Sequence, residues 1–193
     1  MNSVSWWGKA SSIAAPIVLI AGFTISASNQ QAAYNPWVDT ISALAAPTAT
    51  DPWIMTAALY ALGLCHIITA LALRPATSLG RLTLAFGGIA TLGVAMFPTN
   101  ATSTPISHML AAGFAFGALT VWPVFARKRF NADLPLLQTR ICWAATTVLG
   151  ALVLWFVFEL ARAGSHVGLA ERVVAVSQAL WPLLVTNSLR TYS

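Results

Sequence analysis

Six long apolar runs separated by short polar connections set the pattern of this chain. They fall near residues 11–29, 53–73, 80–98, 106–126, 140–160 and 171–189, each close to the ~20 residues an α-helix needs to cross hydrocarbon. Lipid offers no partner to the backbone of an open strand, and no alternation in segments of about ten residues points to a barrel. The pattern therefore predicts an all-α fold: a polytopic membrane protein, residues 1–193 forming a single bundle of six transmembrane helices. The opening MNSVSWWGKA lacks a charged leader followed by a cleavage site, so the first run reads as a retained span and not a removed signal.

Composition agrees with the pattern. The 193 residues are 58% hydrophobic and 8% charged, against about 25% charged in a soluble domain. Cys65 and Cys142 lie inside apolar runs without CxxC spacing, which favours packing over a disulfide or a metal. The net charge of +5 does not imply nucleic acid, because the basic residues cluster in the short connections. Lys9, Arg74, Arg81, Arg127, Lys128, Arg129, Arg140 and Arg190 fall on one side, and only Arg162 and Arg172 on the other. The positive-inside rule then predicts both termini in the cytoplasm. It also predicts Asp39, Asp51, Glu159, Glu171, His108 and His166 at the outer side, with Asp133 the sole cytoplasmic acid.

Three stretches carry the candidate chemistry. The first outer connection, residues 30–52, contains at 37–46 a segment with the length and mixed polarity of a short re-entrant or interfacial helix, ended by Pro47. As a lid it brings Tyr34, Trp37, Asp39 and Ser42 over a cavity. The last hairpin, ELARAGSHVGLAER, gathers Glu159, Arg162, His166, Glu171 and Arg172 in an otherwise apolar setting, where ionisable groups usually mark pairing, a polar cavity or chemistry. Asn100 and His108 flank the start of span four. Trp155 on span five, and Gln178 and Trp181 on span six, extend this set into a polar rim above an aromatic-lined pocket. The glycines of spans three and four, including the Gly113-xxx-Gly117 spacing, predict faces of close helix contact. His66, beside Cys65, reads as a buried packing or hydrogen-bonding residue.

Nucleotide and metal motifs are missing: there is no HExxH, Walker loop or dinucleotide glycine pattern, and no metal or cofactor is expected. A carboxylic acid desolvated above an apolar pocket can act as a general acid, and aromatic faces stabilise cations. Together these features point to a membrane enzyme acting on an isoprenoid or lipid-like substrate, most concretely a proton-initiated, class II-like terpene cyclase. Asp39 or Glu171 would supply the proton and His108 would tune or reload it. Tyr34, Trp37, Ser42, Asn100, Trp155, Glu159, Gln178 and Trp181 would contact the substrate. The expected partners are a prenylated compound or lipid and the surrounding membrane lipids. The alternative is a non-catalytic membrane protein that binds or transports a lipid or hydrophobic ligand. A third reading is a structural partner of a larger envelope complex.

Four strings also carry a likeness. YNPWVDTIS after span one, FPTN ending span three, HMLAAGFAF opening span four and GLAER opening span six resemble a widespread family of small six-span bacterial membrane proteins known as a domain of unknown function. The resemblance covers nearly the whole chain, and in the family pattern an acid often stands where this chain has Asn100. It implies a bacterial membrane, expected to be the cytoplasmic one, and the count of basic residues puts the candidate site near the extracytoplasmic side. The chain is also similar, by size, span number, aromatic richness and isolated acids, to small membrane-bound terpene cyclases. That similarity implies acidic residues that protonate a prenyl chain.

Overall fold

The computed structural model describes residues 3–30, 34–100, 103–128 and 134–192. Arg129 and Asp133, used above for orientation, lie outside the described residues. Six helices are long and apolar enough to cross a membrane: α1 (Trp6–Ser28), α2 (Pro52–Ala72), α3 (Ser78–Met96), α4 (Ile106–Ala126), α5 (Thr139–Ala161) and α6 (Val167–Asn187). The ends of α2 to α5 fall within two residues of the apolar runs. By contrast, α1 begins at Trp6, five residues before its apolar run, and α6 begins at Val167, not near residue 171, because its backbone turns helical before the charged pair that lowers the hydropathy. Glu171 therefore sits one turn inside the helix, not at its mouth.

Each helix packs against its sequence neighbour, and α6 returns to α1, so the six form a closed ring. Two short strands that the hydropathy pattern does not signal, β1 (Ser3–Ser5) and β2 (Arg190–Tyr192), pair in parallel and tie the two ends of the chain together at one end of the bundle. Lipid supplies no hydrophobic drive between helices, so close backbone approach must hold them. Gly63 and Gly88 face one another across α2 and α3: a Cβ on Gly63 would lie 2.8 Å from Gly88 O, and one on Gly88 2.6 Å from Gly63 O. Gly22 packs on Ala58, Gly80 on Ala126 and Gly87 on Leu119 in the same way. Hydroxyl pairs add polar ties, Ser11 Oγ with Thr69 Oγ1 at 2.8 Å and Ser12 Oγ with Thr186 Oγ1 at 2.6 Å.

The exception is α5, where only Cys142, Ala145, Leu149 and Phe156 are buried among 23 residues. The Gly113-xxx-Gly117 spacing, expected to be a contact face, does not pack: nothing lies within 4 Å of where a Cβ would stand on either glycine. The spacing permits close approach but does not supply a partner, and here α5 stands away from it. The result is a cleft between α4 and α5.

The connection from α1 to α2 dips into the bundle, though not as one continuous helix. A turn over residues 36–38 leads to a 3-10 helix at Ser42–Ala45. Asn35 Oδ1 accepts Trp37 N–H at 3.1 Å and the Asp39 carboxylate accepts Asn35 N–H at 2.7 Å. Such local bonds compete with a regular helix. Beyond them Ile41, Leu44 and Ala45 are buried against Leu19, Met55 and Leu62.

Candidate functional site

Glu171 and Arg172 follow one another on α6 and so point about 100° apart around its axis. Glu171, 5% exposed, faces inward. Its Oε2 accepts Ile41 N–H, and its Oε1 accepts the Ser42 hydroxyl at 3.2 Å. Arg172 grips the other side of the same loop. Its Nη1 donates to Pro36 O at 2.8 Å, Asp39 O at 2.9 Å and Gly168 O at 2.9 Å, and its Nη2 donates to Tyr34 Oη. The acid takes loop donors and the base takes loop acceptors. This is how a non-helical segment becomes tolerable inside a membrane protein, where unsatisfied backbone groups are costly.

Two further features hold the loop close. Leu169 N–H donates to Trp37 O at 3.1 Å. Gly168 is obligatory because a Cβ there would stand 2.6 Å from Pro36 O and collide with Asp39 O. Burial holds the Tyr34 phenol above its ordinary pKa, against the Arg172 guanidinium, whose charge and hydrogen bond pull it down.

Glu171 is also where two cavities meet. One is a small chamber of about 60 Å³ between α1, α2, α3, α4, α6 and the Ser42 loop, lined by His66, Thr91, Leu119, Gln178 and Glu171 among others. The other is the α4–α5 cleft, about 420 Å³, lined by Thr99, His108, Gly113, Gly117, Phe156 and Glu171. Ser42, Ala112 and Phe116 border both. The Phe116 and Phe156 rings bridge α4 and α5 with centroids 5.4 Å apart. His108, 5% exposed, holds its Nδ1 2.7 Å from Phe97 O. A carbonyl only accepts, so Nδ1 carries hydrogen and Nε2 of the neutral ring is an acceptor. Each Glu171 oxygen retains a second lone pair. The arrangement can hold a polar, hydrogen-donating end beside an apolar body.

The expected site residues divide between this junction and its surroundings. Glu171, His108, Ser42 and Gln178 border the cavities, and Tyr34 belongs to the Arg172 clamp. The Asp39 carboxylate turns back into its own loop on Asn35 N–H. Trp37 is 57% exposed and meets the His166 ring edge-on at 6.3 Å. Asn100 is exposed, while its neighbour Thr99 lines the cleft and donates to Ser42 O at 3.2 Å. Glu159 accepts His166 N–H at 3.2 Å and closes the turn from α5 to α6. Trp155 packs on the Phe156, Val167 and Val174 cluster, and Trp181 packs toward the other end of the bundle with Trp122, Leu134 and Leu137.

The cavity wall includes Phe116, Phe156, Thr99, Gly113 and Gly117, none of which sequence reasoning placed there. Their signal is helical spacing: His108, Ala112 and Phe116 form one strip, and Met109, Gly113 and Gly117 the adjoining one. Among the described residues, no three His, Cys, Asp or Glu side chains gather as a metal set.

No curated protein and no solved structure matches the chain. A family model described as a protein of unknown function matches residues 13–187, from the first turns of α1 to the end of α6. The chain belongs to this family, DUF998.

Proposed function

We propose that this membrane protein binds a single-chain isoprenoid- or acyl-like lipid in the α4–α5 cleft, with the polar end of the lipid against Glu171. The observation that carries this reading is the buried carboxylate at the inner edge of an apolar cleft within the roughly 300–1,000 Å³ range of small-molecule sites. Met109, Val157 and Leu160 at its lips are at least half exposed, so the route into the cleft leads from lipid and not from water. The positive-inside rule supports a bacterial cytoplasmic membrane orientation with both termini in the cytoplasm and the cleft at the extracytoplasmic end. On this reading the protein acts in lipid binding or transport.

A second reading, proton-initiated cyclisation of a prenyl chain, draws support from the pairing of Glu171 with His108 around one cavity. It ranks behind the first because, among the described residues, Phe116 and Phe156 are the only Phe, Tyr or Trp side chains bordering the cleft, a sparse set for steering a carbocation.

Glu171→Gln separates charge from structure. The amide oxygen can accept Ile41 N–H and the amide nitrogen can donate to Ser42 Oγ, so the loop clamp survives while the carboxylate is lost. Hydrogen bonds to charged groups contribute about 1.5–3 kcal/mol. Mass spectrometry of lipids co-purifying with folded Glu171→Gln is therefore expected to show a loss of about tenfold or more in one polar-ended species. Unchanged retention of that species removes Glu171 from the site. Conversion of a prenylated compound to an isomer of equal mass, seen in wild type and lost in the variant, moves the assignment to the cyclase.

A further inference from the structure

The chamber beyond Glu171 has a lining that specifies its guest. His66 is 1% exposed, and neither Nδ1 nor Nε2 has a hydrogen-bond partner among the described residues. Buried polar groups in folded proteins are rarely left so. A neutral imidazole presents one donor and one acceptor. Gln178, two turns deeper than Glu171 on the same face of α6, gives its amide hydrogens to Phe116 O at 2.9 Å and Thr120 Oγ1 at 3.0 Å, leaving Oε1 as its free acceptor. Thr91 donates to Gly87 O at 2.9 Å and keeps its lone pairs.

The guest must therefore both donate and accept. An ammonium cannot accept from the imidazole N–H. A phosphate or carboxylate would face Glu171 in a chamber that, among the described residues, is lined by no Lys or Arg. The volume of about 60 Å³ admits only a few non-hydrogen atoms. A hydroxyl satisfies every condition.

Resting on the reading of the cleft as a lipid site, we infer that the chamber is a hydroxyl site. The polar end of a single-chain lipid alcohol spans this region: its first carbons pass the Glu171 carboxylate and its terminal hydroxyl exchanges hydrogen bonds with His66 and Gln178, while the rest of the chain lies in the α4–α5 cleft. The substrate class is thereby narrowed to uncharged lipid alcohols. Water offers the same hydroxyl chemistry, and the test distinguishes the two sources.

The test compares tail-matched probes on full-length protein in lipid nanodiscs: geranylgeraniol, its parent hydrocarbon, its amine and its monophosphate, each competing against labelled geranylgeraniol. Wild type is expected to prefer the alcohol to the other three by about tenfold or more. His66→Leu is expected to erase that preference, and His66→Gln, which keeps a donor and an acceptor, to restore part of it. The wild-type comparison stands even where a variant fails to fold. Equal binding of alcohol and hydrocarbon overturns the inference, leaving the chamber to water and the cleft reading intact. A preference for the monophosphate or the amine also overturns it. Failure of all four probes to bind overturns the cleft reading as well.

Discussion

Gly117→Leu is expected to lower lipid retention by about tenfold or more while leaving thermal stability unchanged or slightly raised. Nothing lies within 4 Å of a Cβ at this position, so the new side chain leaves the helix unobstructed and extends into the α4–α5 cleft. Replacing a helix-interior glycine also removes a propensity penalty of about 0.8–1 kcal/mol. This combination of signs is diagnostic, because a glycine that packs a helix seam behaves in the opposite way. Gly88→Leu serves as the control: its Cβ would stand 2.6 Å from Gly63 O, so the α2–α3 seam must open and the melting temperature must fall. Scanning fluorimetry with lipid quantification of the same samples reads both effects. A lowered melting temperature for Gly117→Leu would mean that α4 packs closely there, and the cleft would lose its standing as a ligand site.

Arg172→Ala is expected to release the re-entrant loop. The guanidinium satisfies the carbonyls of Pro36 and Asp39, supports Tyr34 and lies over the Phe23 ring at 5.5 Å. Removing it takes charge-assisted hydrogen bonds from the exposed Pro36 carbonyl and the part-buried Asp39 carbonyl, a cost of roughly 2–4 kcal/mol for the docked state. Hydrogen exchange over residues 36–45 is the direct readout, since local opening is measured in the same free energy. Protection there is expected to drop by about 30-fold or more while the helices keep theirs. Arg162→Ala provides the contrast: Arg162 rests over Phe158 at 4.9 Å on an exposed turn, and such contacts contribute only about 0.5–1 kcal/mol. Unchanged protection in Arg172→Ala would show that Glu171 and the buried Ile41 and Leu44 suffice to hold the loop.

The spans were legible because twenty apolar residues in lipid leave the backbone one solution. The start of α6 was not, because hydropathy scores the side chains of Glu171 and Arg172 and ignores the helix that carries them inward. That one-turn difference matters for the site, since it carries Glu171 from the rim to the junction of the two cavities. The convergence of the first loop with α4 and α6 was also legible, from charge placement and connection length; Glu171, Ser42 and His108 meet as their positions along the chain suggest. Asp39 and Glu171 looked equivalent as isolated acids. Local chemistry separates them, for Asn35 stands four residues before Asp39 and captures its carboxylate in a turn. Gly113 and Gly117 were ambiguous for a different reason: identical spacing serves a packed seam or an open wall, and only the position of α5 decides between them.

The central claim is that a lipid chain lies between α4 and α5 with its polar end at Glu171. Photo-crosslinking tests it most directly, using a lipid alcohol with a diazirine in its tail, irradiated with the protein in nanodiscs and mapped by peptide mass spectrometry. The predicted adducts fall on residues 113–117 of α4 and 153–157 of α5, are displaced by unlabelled alcohol and are lost in Gly117→Leu. Adducts spread over the lipid-facing surfaces of α1 and α3, with the cleft unlabelled and no competition, would contradict it.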